Sequence, residues 1–144
     1  MISAGFFQGI ENIDECIKIR KLVFCNELNQ SEHTLTDEYD QFAFNVVAYE
    51  NMESVGTGRL LFKDGRYIID KICVLKGYRG NNISDLMIRM LVRKAVTIGA
   101  EKVYTITYKK CKSIFERAGF EEIIVDDDKL VMVKCGDVGG HCCK

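Results

Sequence analysis

The 144-residue chain contains no proline, so its turns must rely on glycine, asparagine and aspartate. It also lacks a dominant charge sign, and a net charge of −1 argues against a nucleic-acid binder that neutralises many phosphates. No apolar run approaches the ~20 residues needed to span a bilayer. The first ten residues, MISAGFFQGI, lack the basic segment of a signal peptide. These absences predict a cytoplasmic protein that contacts neither membrane nor nucleic acid.

The chain contains seven cysteines, a high and odd number. Without a secretion signal, most of them are predicted to be reduced thiols. Cys16, Cys25 and Cys73 fall within apolar patterns, where a thiol behaves as a small buried hydrophobe.

The length suits one domain, and 47% apolar residues are enough for a substantial core. Residues 2–7 are typical of a first strand. Apolar residues then recur at helical spacing through NIDECIKIRKLVFCNEL (12–28), where Asn12 and Glu15 suggest a capping box. The polar segment 30–41 is compatible with either a short helix or an ordered loop.

Three strands are predicted in succession at 44–50, 54–63 and 66–75, with an Asp64–Gly65 turn before the last. A helix follows over 83–98 and ends before Gly99. Its core-facing stripe is predicted to contain Ile83, Leu86, Met87, Met90, Leu91, Ala95 and Ile98.

The last part of the chain predicts a strand at 102–108, a short helix in SIFERAGF and two strands in EEIIV and KLVMVK. Ser113 and Glu116 suggest a second capping box, with Gly119 as the terminator. Because a helical crossover joins strands 66–75 and 102–108, these two strands should be parallel neighbours. The expected fold class is α/β (α+β), with a mixed sheet.

The segment VLKGYRGNNIS passes from a strand through a glycine-containing loop into a helix. Amides at a helix N-terminus can bind phosphate oxygens. Gly77 and Gly80 permit a positive φ, and Arg79 can add a charge-assisted hydrogen bond. The alternative is an ordinary strand-to-helix turn with a solvated arginine.

Taken in order, VGTGRL, YIIDKICVLKGYRGNNIS and IFERAGF resemble the GCN5-related N-acetyltransferases (GNAT) over residues 10–134. The resemblance implies an acyl-CoA N-acyltransferase fold: six to seven mostly antiparallel strands, a central parallel pair and about four helices. It further implies acetyl-CoA as co-substrate, with no metal required. The acetyltransferase domain would span residues 1–134, followed by a Cys/Gly-rich tail at 135–144.

By this resemblance, the amides of one loop hold the pyrophosphate of coenzyme A, namely those of Arg79, Gly80, Asn81, Asn82, Ile83 and Ser84. Asn82 and Ser84 stand where the family has glycines. Asparagine tolerates the left-handed region, and serine is small and a good N-cap. The backbone of Ile72, Cys73 and Val74 would position the pantetheine arm, which enters between strands 66–75 and 102–108.

Acetyl transfer to an amine needs a base near the thioester carbon and a proton donor for the departing thiolate. Asp70 is the candidate base, since a carboxylate is unusual in the middle of a strand. The alternative is an outward-facing Asp70 paired with Lys71 or Arg66.

The candidate acid is Tyr108, with Cys111 as a weaker donor. Phe115 stands where the family typically has a tyrosine, so the usual hydroxyl is missing from this chain. The alternative for Tyr108 is ordinary cross-strand packing.

The acidic run at Asp37, Glu38 and Asp40 could line the acceptor side and favour a cationic amine, or be a solvated loop. His33 is a further candidate base that is more often simply exposed. The predicted function is direct acetyl transfer to a small amine in a ternary complex, with a homodimer left open.

Two alternative functions remain from the sequence. One is an acyl-CoA-binding or sensory module without catalysis. The other is a thiol-rich metal-binding protein that uses the tail residues Cys135, His141, Cys142 and Cys143.

Overall fold

Seven strands form one mixed sheet in the computed structural model, which describes residues 1–135. The strands are β1 (Ile2–Gln8), β2 (Phe44–Glu50), β3 (Glu53–Lys63), β4 (Arg66–Val74), β5 (Lys102–Tyr108), β6 (Glu121–Asp126) and β7 (Lys129–Cys135). Their order across the sheet is β1-β2-β3-β4-β5-β7-β6. Within the described sheet, β4 and β5 pair in parallel and the other neighbours are antiparallel. The predicted mixed sheet with a central parallel pair is confirmed.

The helices are α1 (Ile13–Arg20), which continues as a π-helical segment (Lys21–Glu27), α2 (Ile83–Thr97) and α3 (Lys112–Arg117). Short 3-10 turns lie at Glu32–Thr34, Glu38–Gln41, Lys76–Tyr78 and Lys109–Cys111. The sequence predicted one regular helix over 12–28, so the change to π-helix after Arg20 is a correction. Among residues 1–135, no helix is both long and apolar enough to cross a membrane.

Both predicted capping boxes are wrong. Asn12 occupies the N-cap position of α1, as predicted, but its backbone is left-handed (φ 53°) and its side chain donates to the Tyr49 hydroxyl instead of forming a capping hydrogen bond. Glu15 instead accepts a hydrogen bond from the Ser54 hydroxyl of β3. At α3, the preceding 3-10 turn places Cys111 at the N-cap position, so Ser113 lies inside the first turn.

The two main helices cover opposite faces of the sheet, because neighbouring residues of a strand point to opposite sides. Val46 of β2 packs in the cluster formed by α2, whereas Val47 packs with α1. The buried face of α2 consists of Ile83, Met87, Ile88, Leu91 and Ala95.

The predicted core-facing stripe of α2 differs from the structure at three residues. Leu86 and Ile98 are 37% and 39% exposed. Leu86 lies at the border of the buried face, and Ile98 follows the last helical residue. Ile88, which the prediction omitted, takes a place in the core.

Candidate active site

A split between β4 and β5 creates the main opening in the sheet. The two strands pair only from Tyr67–Val103 to Ile69–Thr105, where the Thr105 hydroxyl donates to the Ile69 carbonyl oxygen at 2.7 Å. Beyond this point β5 continues to pair with β7, and β4 continues with β3. The β4 edge at 72–74 is therefore turned toward the split.

A β-bulge on β4 accompanies the split. Thr57 of β3 pairs with Cys73, but Arg59, two residues later, pairs with Asp70, three residues earlier. The extra residue lies on β4, and Lys71 has a left-handed backbone (φ 52°). Bulges bend a strand and re-aim its side chains, and they are common beside active sites.

A cavity of about 500 Å³ occupies the split and extends to the start of α2. Most residues predicted to form the site line it: Asp70, Ile72, Cys73, Val74, Arg79, Gly80, Asn82, Ile83, Ser84 and Tyr108. Asn81 is the exception and does not line the cavity. The π-helical segment contributes the opposite wall through Val23, Phe24 and Glu27.

The loop at 79–84 contains two residues with a left-handed backbone. Gly80 (φ 91°) and Asn82 (φ 59°) are left-handed, as predicted for Asn82 in place of glycine. Gly77 does not have a positive φ and belongs to a 3-10 turn instead. Asn82, not Ser84, occupies the N-cap position of α2, so the predicted capping role of Ser84 is wrong.

The N-terminus of α2 therefore opens into the cavity. First-turn amides have no intrahelical acceptor, and the helix dipole is positive at this end. With Asn82, Ile83 and Ser84 on the cavity wall, this end suits a phosphorylated group. The residues present thus fit the diphosphate of coenzyme A.

Arg79 already has an anionic partner. Its two terminal nitrogens donate to the Glu27 carboxylate at 2.6 and 2.8 Å, and its Nε donates to the Val74 carbonyl oxygen at 3.0 Å. The hydrogen bond from Arg79 lowers the pKa of Glu27. The guanidinium predicted to contact pyrophosphate is therefore engaged with the π-helical segment.

Asp70 lies on the cavity wall with both carboxylate oxygens bound. Arg59 of β3, its cross-strand partner, donates from Nε and one terminal nitrogen at 2.8 and 2.7 Å. Neither Lys71 nor Arg66, the partners considered from sequence, makes this contact. The Asp70 side chain retains 25% exposure, so it remains accessible from the cavity.

Arg59 is the centre of a buried charge network. It also binds Asp37 at 2.6 and 3.0 Å and Asp40 at 3.3 Å, while Arg20 binds Asp40 at 3.2 Å. Burial acts to lower the pKa of Arg59, but its hydrogen bonds to Asp70 and Asp37 raise it above its ordinary value. All of these groups are thus held in charged pairs.

The acidic run does not line the cavity as predicted. Asp37 and Asp40 are committed to the arginine network, and Asp37 caps the 3-10 turn that follows it. Glu38 and His33 are exposed residues of the 3-10 turns and also lie off the cavity wall. Of the three acidic residues, only Glu38 fits the alternative prediction of a solvated acidic loop.

Tyr108 lies at the end of β5, on the cavity wall. Its hydroxyl oxygen accepts a hydrogen bond from the Gln30 side-chain amide at 2.7 Å, which leaves the phenolic proton available for donation. Cys111 also lines the cavity. Phe115, which replaces the family tyrosine, is buried against Phe120 with ring centroids 5.3 Å apart.

Lys71, Gln30, Glu27 and Arg59 are site residues that the sequence reasoning missed. Lys71 lines the cavity, and its ammonium donates to the Thr34 carbonyl oxygen at 2.6 Å. Arg59 could have been recognised from the sequence, since a charged residue within the apolar strand SVGTGRLLFK requires a buried partner.

Three cysteines were predicted to be buried. Cys16 and Cys73 are buried, and burial raises the pKa of the Cys73 thiol to about 12. Cys25 is only half-buried, which corrects the prediction.

The predicted metal-binding tail lies outside the described residues, except for Cys135. Among residues 1–135, no cluster of three or more His, Cys, Asp or Glu side chains is arranged to hold a metal ion.

Comparison with known proteins agrees with this geometry. The model of the acetyltransferase (GNAT) domain matches residues 41–122, more than half of the chain. An uncharacterized N-acetyltransferase of Bacillus subtilis, YjcF, is 30% identical over 90 residues, which cover 62% of this chain and 64% of that protein. The matched part of the chain therefore spans less than two thirds of this relative's length.

Solved structures share the fold at low sequence identity. Escherichia coli ElaA superimposes with a TM-score of 0.80 at 18% identity, covering 93% of this chain and 99% of that one. An aminoglycoside 6′-N-acetyltransferase in complex with coenzyme A gives a TM-score of 0.77 at 15% identity, covering 92% and 96%.

Proposed function

Because the chain belongs to the GNAT acetyltransferase family, we propose that it is an acetyl-CoA-dependent N-acetyltransferase that acts on a small amine. One observation carries the proposal: the split between β4 and β5 leads directly to the N-terminus of α2. A neighbour of the same fold was solved in complex with coenzyme A, which supports this choice of co-substrate.

Two main-chain surfaces would hold the co-substrate, which supplies an acetyl group on a thioester sulfur. The β4 edge formed by Ile72, Cys73 and Val74 would pair with the amide groups of the pantetheine arm. The amides of the 79–84 loop would bind the diphosphate. Neither surface depends on a particular side chain, so the Asn82 and Ser84 replacements are compatible with binding.

Asp70 and Tyr108 are the proposed proton-transfer residues. Asp70 takes a proton from the acceptor nitrogen as the new N–C bond forms and the C–S bond breaks. Tyr108 gives its phenolic proton to the departing sulfur. Two hydrogen bonds from Arg59 fix the Asp70 carboxylate in place, and Gln30 orients the Tyr108 hydroxyl. The proposed transfer is direct, and the Cys73 thiol, whose pKa burial raises to about 12, is a poor nucleophile.

Thiol release over a panel of amines tests this function. We expect turnover that depends on acetyl-CoA. Initial-rate plots should give intersecting lines, as a ternary-complex mechanism requires. D70N and Y108F should each lower kcat by about 10²- to 10⁴-fold without loss of coenzyme A binding. Coenzyme A binding together with the absence of turnover on every amine would contradict the proposal.

A second candidate is an acyl-CoA-binding module without catalysis, and the burial of Phe115 in place of the family tyrosine favours it. The same panel separates the two functions, because a binding module would show a coenzyme A-dependent rise in melting temperature and no thiol release. A cytoplasmic location and a homodimer remain predictions. Sedimentation of the purified protein would test the homodimer.

A further inference from the structure

The carboxylates on the cavity wall are all bound by arginines. Glu27 pairs with Arg79, Asp70 with Arg59, and Asp85 with Arg89 at 2.8 Å. A carboxylate whose oxygens already accept charged hydrogen bonds contributes little net attraction for a second cation. The described cavity wall therefore presents no free anionic group to a cationic acceptor.

Lys71 is in the opposite situation. Lys71 is one of the residues that line the cavity, and the hydrogen-bond partner of its Nζ is a neutral main-chain oxygen, that of Thr34. Burial, and then the charge of Arg59, lower the pKa of this ammonium. The charges of Asp70 and Asp37 act in the opposite direction, but the net effect still lowers the pKa. A partly buried ammonium whose hydrogen bond goes to a neutral oxygen gains from binding an anion, because the anion replaces the hydration that the lysine has lost.

The position of Lys71 identifies which part of a ligand it would meet. It lies on the β4 bulge, between Asp70 and the 72–74 edge. The 79–84 loop at the start of α2 is a separate part of the same cavity. An anion bound by Lys71 would thus adjoin the proposed base rather than the diphosphate loop.

The left-handed backbone of Lys71 adds to this assignment. A non-glycine residue with φ 52° is uncommon, and it fixes the direction in which the side chain leaves the strand. Residues held in such conformations cluster at ligand-binding sites.

On the basis of the N-acetyltransferase function proposed above, we propose that Lys71 binds a carboxylate of the acceptor. The acceptor class is then an amine that carries a carboxylate, as an amino acid does, rather than a polycationic amine. This reverses the expectation drawn from the acidic run at 37–40, because the arginine network neutralises Asp37 and Asp40.

Ligands that resemble the acetylated product test the proposal without requiring turnover. N-acetyl derivatives of glycine, leucine, glutamine and lysine, and the primary amide of each, are titrated calorimetrically into protein saturated with coenzyme A. In the wild-type protein, the dissociation constant of at least one acid should be lower than that of its amide by a factor of about ten or more. K71M should remove this difference, and K71R should retain it. K102M, at an exposed lysine that does not line the cavity, is the charge-loss control.

Kinetics supply a second readout. For carboxylate-bearing acceptors, K71M should raise KM with little change in kcat, because it removes binding rather than proton transfer.

Equal affinities of acid and amide in wild type, no binding by any of the acids, or an acid preference that survives in K71M would each overturn the assignment. These outcomes are distinguishable from failure of the proposed function. If coenzyme A itself does not bind, both proposals fall; if it binds and the acid preference is absent, the inference about Lys71 falls alone.

Discussion

Arg79 and Glu27 form an ion pair with two hydrogen bonds, of 2.6 and 2.8 Å, between the 79–84 loop and the end of the π-helical segment. Both residues line the cavity. The Glu27 carboxylate thus uses the two terminal nitrogens of Arg79, which could otherwise donate to a diphosphate. The pair links the 79–84 loop to the opposite wall of the cavity.

E27Q is expected to tighten coenzyme A binding by about two- to five-fold, since it removes a charged competitor for Arg79 from a largely solvated pair. Calorimetric titration of coenzyme A measures the change. E101Q removes an exposed carboxylate outside the cavity and should have no effect. Weaker binding by E27Q would mean that the ion pair organises the loop instead of competing with the ligand.

Asn82 should tolerate glycine but not alanine. Its φ of 59° lies in the left-handed region, where a Cβ without a polar group is disfavoured by about 1–2 kcal/mol. N82A is therefore expected to lower the free energy of unfolding by about 1 kcal/mol and the coenzyme A affinity by about five-fold. N82G should retain both, as urea titration and calorimetry would show. Equal behaviour of the two variants would contradict the left-handed loop.

Arg59 should be critical for stability. Its side chain is 3% exposed and binds three aspartates, so R59M leaves Asp37 and Asp70 without this partner and Asp40 with Arg20 alone. The expected loss in the free energy of unfolding is about 2–3 kcal/mol. R66M, at an exposed arginine of β4, should change stability by no more than about 0.5 kcal/mol. Similar losses in the two variants would show that the network does not stabilise the fold.

Asp37 should make stability depend on pH in acid. Burial alone would raise its pKa, but hydrogen bonds and charge from Arg59 lower it below the ordinary value of 3.8. A lowered folded pKa stabilises the fold above the unfolded value, and this contribution is lost as pH falls through the folded pKa.

Wild type should therefore exceed D37N in stability at about pH 7, and the difference should shrink below about pH 4. Urea unfolding at several pH values measures this. D126N, at the exposed end of β6, is the control and should not change the pH dependence. A difference between wild type and D37N that stays constant down to the lowest pH would refute the linkage.

Local patterns predicted the strands, whereas the split between β4 and β5 was expected from the family resemblance. Alternation and the Asp64–Gly65 turn are properties of neighbouring residues, so β2, β3 and β4 could be recognised from sequence. The parallel pairing of β4 with β5 followed from the helical crossover between them. Likewise, the left-handed Asn82 was predicted because few residue types adopt that conformation.

The charge partners could not be predicted in the same way. Arg59 pairs with Asp70 after a bulge shifts the register of β3 against β4, and Lys71, which lines the cavity, lies at the same bulge. The pairing of Glu27 with Arg79 joins residues separated by 52 positions. Such contacts depend on tertiary geometry, which composition and periodicity do not specify.

A crystal structure of the protein grown in excess coenzyme A would test the account most directly. It should show diphosphate oxygens within about 3.2 Å of main-chain nitrogens of the 79–84 loop. The pantetheine arm should lie along Ile72–Val74 in the split between β4 and β5. Coenzyme A bound elsewhere, or a loop filled by the side chains of Asn82 and Ser84 under these conditions, would contradict the account.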